Sequence, residues 1–261
     1  MSEQQRAIHL HYAEAGRGLA VVLVHGFPFS HRIWNAQVMA LGMDYHVIAP
    51  DLRGFGESAA PEEGYDMDDF AADIVALLDR LGIDRAVWVG HSMGGYITLA
   101  ALRRWPARVR AAVFVATHAR PDTPEKKFQR ETSADIVLNK GVSDTAFSMM
   151  STVFAPGVDR QSEMAQSIYE IMVGSSPQGV AGALRGMAAR PDSRPLLAGL
   201  SIPALVIAGA EDETVGAELT GELAELIPGA RHVVIPGAGH MPMVEQPAAT
   251  TDALREFLET L

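Results

Sequence analysis

Six short runs constrain what this chain can fold into. Residues 21–24, 46–49, 86–89, 111–115, 204–208 and 232–235 are apolar, mostly β-branched and almost free of polar alternation. A strand with one wet face alternates apolar and polar side chains, so an unbroken apolar run asks for burial on both faces. Helical patterns fill the intervals. Asp66 or Asp68 can cap a helix in which Phe70, Ile74, Leu77, Leu78 and Leu81 recur at helical spacing, with Gly82 to stop it. Further helices are expected over 92–105, ended by Pro106, and over 217–226 and 248–258. Strands alternating with helices give a mostly parallel sheet covered on both faces, an α/β fold.

The rhythm breaks once. Residues 119–196 show no strand pattern, their composition shifts towards Met, Ser and Gln, and all three lysines (Lys126, Lys127, Lys140) fall among them. Helices are expected near 145–153, 161–173 and 177–189, with prolines between them. This stretch is expected to be a helical cap inserted into a core made of residues 1–118 and 197–261.

Charge and composition remove several function classes. A net charge of −11, with no basic run beyond pairs such as Arg103-Arg104, argues against a nucleic-acid partner. No apolar run is long enough to span a bilayer. The absence of cysteine excludes disulfides, thiolate metal sites and a cysteine nucleophile. Residues 1–6 are polar and no apolar, cleavable segment follows them, so no secretory signal and a cytoplasmic location are expected. The sequence carries no signal for an oligomeric state.

The chemistry centres on Gly90-His91-Ser92-Met93-Gly94-Gly95, between the run 86–89 and a helix. A serine at a sharp strand-to-helix turn is lifted clear of the sheet on a strained backbone, and glycines on either side let neighbouring backbone approach. A phosphate loop would end in Gly-Lys-Ser/Thr, which is absent. A serine hydroxyl needs a base to take its proton. Among nine histidines, His240 lies in the glycine-rich loop after the run 232–235, at a strand's carboxyl end where ligand-facing groups gather. An orienting carboxylate is offered by Glu211-Asp212-Glu213 after the run 204–208, and spacing leaves all three open. Asp51 is read as structural, pairing locally with Arg53. His118, at the end of the run 111–115, is expected to line a pocket.

These pieces, with His25-Gly26-Phe27-Pro28 and Asp51-Leu52-Arg53-Gly54-Phe55-Gly56-Glu57-Ser58, resemble the α/β-hydrolase superfamily over essentially the whole chain. Five motifs in the right order, each at a strand end, carry the resemblance. It implies Ser92 as nucleophile, His240 as base and, from its distance to the turn glycine, Asp212 as the acid. It also implies an oxyanion hole built from the backbone N–H groups of Phe27 and Met93, with His25 holding that loop. Haloalkane dehalogenases and epoxide hydrolases of this fold carry Asp where this chain has Ser92. The resemblance is closest to small bacterial esterases, perhydrolases known as non-haem chloroperoxidases, and enol-lactonases. A carboxylic-ester hydrolase acting on a small-molecule ester or lactone is expected, with no cofactor and no metal. Lactonase, perhydrolase and carbon–carbon bond hydrolase are alternatives on the same triad, and a receptor-like binding protein is the non-enzyme alternative. Of the apolar and flexible side chains in the cap, Met149, Phe154 and Met172 are expected in the substrate pocket together with His118 and Pro28. Pro28 either stiffens the oxyanion loop or turns a backbone carbonyl towards the acyl-enzyme, where it would favour peroxide over water.

Overall fold

Five of the six apolar runs are buried almost throughout, as their lack of polar alternation requires. The computed structural model describes residues 7–261, and residues 1–6, read above against a secretory signal, lie outside the described residues. In chain order the core begins with β1 (Tyr12–Ala15), β2 (Ala20–Val24), α1 (Asn35–Leu41), β3 (His46–Pro50) and α2 (Met67–Arg80). It continues with β4 (Ala86–His91), α3 (Met93–Arg104) and β5 (Val109–Val115). Five helices follow before the next strand: α4 (Pro124–Lys140), α5 (Ser143–Met149), α6 (Glu163–Val173), α7 (Pro177–Ala189) and α8 (Arg194–Leu197). The chain closes with β6 (Ala204–Gly209), α9 (Ala217–Leu226), β7 (Arg231–Ile235), α10 (Pro242–Glu245) and α11 (Pro247–Leu258).

The seven strands form one sheet in the order β1-β3-β2-β4-β5-β6-β7. All pairs are parallel except β1 with β3. Period-two alternation splits the strand side chains between two cores. Val22, Trp88, Phe114 and Val206 pack with α2, α3 and α9, whereas Leu23, Val89, Val113 and Ile207 pack with α1 and α11. The sixth run departs from the expectation: β7 is an edge strand, and four of its five residues are exposed or only partly buried. No described helix is long and apolar enough to cross a membrane.

Register fixes where the functional loops emerge. Gly90 pairs with Phe114, Val115 with Ile207 and Gly209 with Ile235, so β4 to β7 end side by side. Ser92, His118, Asp212 and His240 therefore all leave the sheet at its carboxyl edge. The strand order reverses between β2 and β4, the crevice where open α/β sheets bind ligands.

Candidate active site

Ser92 caps the N-terminus of α3 with φ 50° and ψ −112°, a conformation that non-glycine residues rarely adopt. The surroundings hold it there. Its N–H donates to Val115 O at 2.9 Å, and the Thr117 hydroxyl donates to Ser92 O at 2.8 Å. The turn closes only because two flanking residues lack side chains. A Cβ on Gly90 would lie 2.3 Å from Gly94 O, and one on Gly94 would lie 2.3 Å from Val24 O. Such strain persists where neighbouring structure over-determines it, and it is concentrated at functional sites.

His240 bridges the serine and the acid. Its Nε2 is 2.9 Å from Ser92 Oγ and its Nδ1 is 3.0 Å from Asp212 Oδ2. An ionised carboxylate only accepts, so Nδ1 carries the proton and the Nε2 lone pair faces the hydroxyl. Burial pushes the Asp212 carboxyl up. The His240 ring and the N–H groups of Val215 and Thr214 outweigh burial and hold it below the usual carboxylate range. Those two amides donate to Oδ1 at 3.0 and 2.8 Å, which leaves Oδ2 for the imidazole. Glu211 and Glu213, the flanking acids that spacing left open, are exposed.

Two side chains that the sequence reading passed over position the histidine. Glu245 Oε1 accepts from the N–H groups of Gly239 (2.9 Å) and Met241 (3.1 Å), one on each side of His240. Its Oε2 accepts from Ala155 N–H at 2.7 Å and so ties this loop to the segment between β5 and β6. His91 Nε2–H donates to His240 O at 2.9 Å. Burial, and then the neighbouring His240 ring, push His91 down to about 3, so it is a neutral donor here. The signal for both was local: His91 adjoins the serine, and Glu245 lies one helical turn beyond Met241, at the end of α10.

The loop after β2 bends over this site. His25 Nδ1–H donates to Gly26 O at 2.8 Å, and Leu52 N–H donates to His25 Nε2 at 3.0 Å, so the ring fastens the loop to the turn after β3. Burial drives His25 down to about 4, which keeps that acceptor nitrogen unprotonated. Phe27 lines the cavity beside Ser92, and Met93 is the first residue of α3, where backbone N–H groups have no partner within the helix. In the next turn, Asp51 accepts from His11 Nδ1 (2.9 Å), His31 Nδ1 (2.8 Å), His31 N (2.8 Å) and Glu57 N (3.0 Å). This group could offer three ligand atoms to a metal ion, but both carboxylate oxygens already serve as a hydrogen-bonded clasp. Arg53 forks onto Asp73 of α2 through Nε and NH2, both at 2.6 Å, in place of the local pair expected with Asp51. The reason is geometric: the four donors around Asp51 take its lone pairs, and α2 presents a buried carboxylate.

A cavity of about 550 Å³ opens onto Ser92 and His240, a volume suited to a small organic ligand. Of the side chains expected in a pocket, His118 and Met149 line it, and Phe27 of the loop after β2 lines it beside them. Three other expected pocket residues do not. Phe154 and Met172 are fully buried in the core that includes Val153 and Ile168, because apolar character alone does not say which side chains meet the cavity and which the core. Pro28 is buried in the loop after β2, and its carbonyl accepts the Ser175 hydroxyl at 2.9 Å, so that oxygen is already taken. Tyr96, absent from the sequence reading, lines the cavity from α3. Its signal was its spacing, four residues after Ser92 and thus on the same helical face.

Comparison with known proteins adds a family and a set of relatives. Residues 20–247 match the family model described as the alpha/beta hydrolase fold. Epoxide hydrolase A of Mycobacterium tuberculosis is 34% identical, over 97% of this chain and 95% of its own length. A thermophilic esterase from Thermogutta terrifontis superposes with a TM-score of 0.93 at 39% identity, covering 96% of this chain and 93% of that one. The enol-lactonase of Burkholderia xenovorans gives 0.88 at 30% identity, with 96% of each chain covered.

Proposed function

The chain belongs to the alpha/beta-hydrolase fold family, and we propose that it is a serine hydrolase that cleaves carboxylic esters through an acyl-enzyme. The observation that carries this reading is the single imidazole joining Ser92 Oγ at 2.9 Å to the Asp212 carboxylate at 3.0 Å. Ser92 Oγ attacks the carbonyl carbon while His240 Nε2 takes the hydroxyl proton. Asp212, held ionised, stabilises the imidazolium and fixes its tautomer. The oxygen of the tetrahedral intermediate meets the N–H groups of Met93 and Phe27, the first of them aided by the positive end of the α3 dipole. Collapse expels the alcohol, which leaves with the proton from His240. Water then repeats the sequence on the acyl-Ser92 ester and frees the acid.

Arg130, Met149, Leu184 and Met187 line the same cavity as Ser92 and His240, which supports residues 119–196 as a cap that shapes the acyl site. Likeness to the Burkholderia enol-lactonase supports a lactone as second substrate class, since ring opening runs through the same steps with the leaving alcohol tethered. The relation to an epoxide hydrolase carries less weight, because position 92 holds a hydroxyl where ring opening on this fold uses a carboxylate. The test is Ser92→Ala: the folded variant should lose hydrolysis of p-nitrophenyl butanoate, and near-normal turnover would end this reading. A binding protein without activity would show no turnover in the wild type either.

A further inference from the structure

The triad accounts for one end of the cavity. The wall around Tyr96 and Arg130 has a construction of its own. Tyr96 is 6% exposed and lines the cavity with Ser92, His118 and Arg130. The hydrogens around it can be assigned. Arg120 N–H donates to His118 Nδ1 at 3.2 Å, so this nitrogen is an acceptor. Burial, and then the charge of Arg190, push the His118 ring down to about 4. At neutral pH its one proton therefore sits on Nε2 and is donated to Tyr96 Oη, 2.9 Å away. The phenol oxygen is thus used as an acceptor, while its own O–H goes to no protein group among the described residues.

Beside this donor, two guanidiniums share one carboxylate. Asp122 Oδ2 accepts from Arg130 Nε, and Asp122 Oδ1 lies 2.8 Å from Arg190 NH1. The Arg130, Arg190 and Asp122 side chains are 14%, 4% and 5% exposed, so a surplus positive charge is held largely out of water. The spare donors are on Arg130, whose NH1 is directed at Met187 Sδ, a weak acceptor, at 3.4 Å. Arg190 donates to the carbonyls of Met187 (2.7 Å) and Arg120 (3.1 Å), and its Nε is buried without an acceptor. The Arg190 guanidinium lies 4.1 Å above the Tyr96 ring and keeps the two features together. Lys126 and Arg120 also line the cavity, the latter paired with Glu222. In a chain of net charge −11 this concentration of cations is local, not background. A desolvated cation is costly unless an anion reaches it.

We propose that this wall is an anion subsite, where the Tyr96 O–H and the Arg130 guanidinium bind a free carboxylate carried by the substrate beyond its scissile carbonyl. The substrate class is then the half-ester or lactone of a dicarboxylic acid, not a simple fatty ester. Asp212, behind His240, repels a second carboxylate at the triad end and directs it towards the cations. The inference rests on the serine-hydrolase reading above, and its test separates the two.

The probe is a matched pair of aryl esters, mono-p-nitrophenyl glutarate and p-nitrophenyl pentanoate, which differ by a terminal carboxylate in place of a methyl. The wild type should favour the charged ester in kcat/KM. In Tyr96→Phe, and separately in Arg130→Gln, the charged-to-neutral ratio should fall roughly ten- to a hundredfold, mainly through KM, as for a lost hydrogen bond to a charged group. Arg130→Lys should recover part of the ratio, and Tyr96→Phe removes a single oxygen should Arg130→Gln fail to fold. If the wild type prefers the neutral ester, or both variants lose the two substrates in equal proportion, the subsite is refuted while the hydrolase reading stands. If the folded wild type cleaves neither ester, the hydrolase reading fails and the subsite with it.

Discussion

Glu245→Gln is the substitution that most sharply separates positioning of the base from ordinary folding. The carboxylate accepts three backbone N–H groups, two on Oε1 and one on Oε2. An amide can keep its oxygen on the Gly239 and Met241 pair, but its NH2 then faces the Ala155 N–H, donor against donor. Losing one hydrogen bond to a charged group costs roughly 1.5–3 kcal/mol, and the two that remain weaken as the charge disappears. Partial exposure of the site tempers these figures, and a total of about 2–4 kcal/mol is expected. In a chain of this length that corresponds to a fall in Tm of roughly 4–16 °C. The same change loosens both residues that flank His240, and a shift of about 1 Å in a catalytic group can cost a hundredfold. At a temperature below the transition, kcat for p-nitrophenyl butanoate should fall roughly ten- to a hundredfold with KM much less affected, because the base acts in the transition state. Calorimetry and steady-state kinetics on the purified variant provide both numbers. If Tm falls while kcat stays within about twofold, the carboxylate staples the histidine loop to the segment carrying Ala155 without positioning the base, and the reasoning from its three bonds is wrong.

Asp212→Asn should lower kcat by about ten-thousandfold, as in trypsin-type triads, whereas neutralising Glu211 or Glu213 should have little effect; the same assay on the three variants decides. Gly209→Ala would place a Cβ 1.9 Å from Gly239 O, forcing the acid loop away from the histidine loop, so a loss of more than about 1–3 kcal/mol with matching loss of activity is expected in urea melts and kinetics. Stability should also fall with acid well above the carboxylate range. His25 and His91 titrate near 4 and near 3 in the fold, below the roughly 6.5 of an unfolded imidazole. As pH drops through that window the unfolded chain takes protons the native state refuses, so stability is present above about 6.5 and lost towards 4. Urea unfolding at about pH 7 and about pH 5 should differ by roughly 3–4 kcal/mol from these two groups, and a flat profile would contradict the assignment.

Much of the core was legible because its strands are buried on both faces, which a sequence can express only as unbroken apolar runs. β1 escaped notice because Tyr12-Ala13-Glu14-Ala15 is only partly buried and owes its place to antiparallel pairing with β3. β7 was read as a strand correctly but expected to be covered, whereas an edge position leaves Arg231, His232 and Val234 exposed. The 17-residue α4 was missed for a similar reason. It buries Ala134 and Val137 and little else, so no apolar stripe marks it. Among the proposed site residues, Ser92, Asp212 and His240 stand out in the sequence because strand-end motifs announce them, and the structure places the three within hydrogen-bonding distance. Tyr96, His91 and Glu245 lie close in sequence to Ser92 or His240, which marks them as neighbours of the site, but their bonds to residues 22, 149 and 90 positions away are what give them a part in it, and no local pattern encodes those.

The most direct test of the central claim is to catch the acyl-enzyme. Mixing the protein with p-nitrophenyl butanoate, quenching in acid during the first turnover and mapping the peptides by mass should place one butanoyl group on Ser92. The modified fraction should match the early burst of p-nitrophenolate, and Ser92→Ala should show neither. A burst with the label on another residue, or steady hydrolysis by the folded protein with Ser92→Ala unimpaired, would contradict the account.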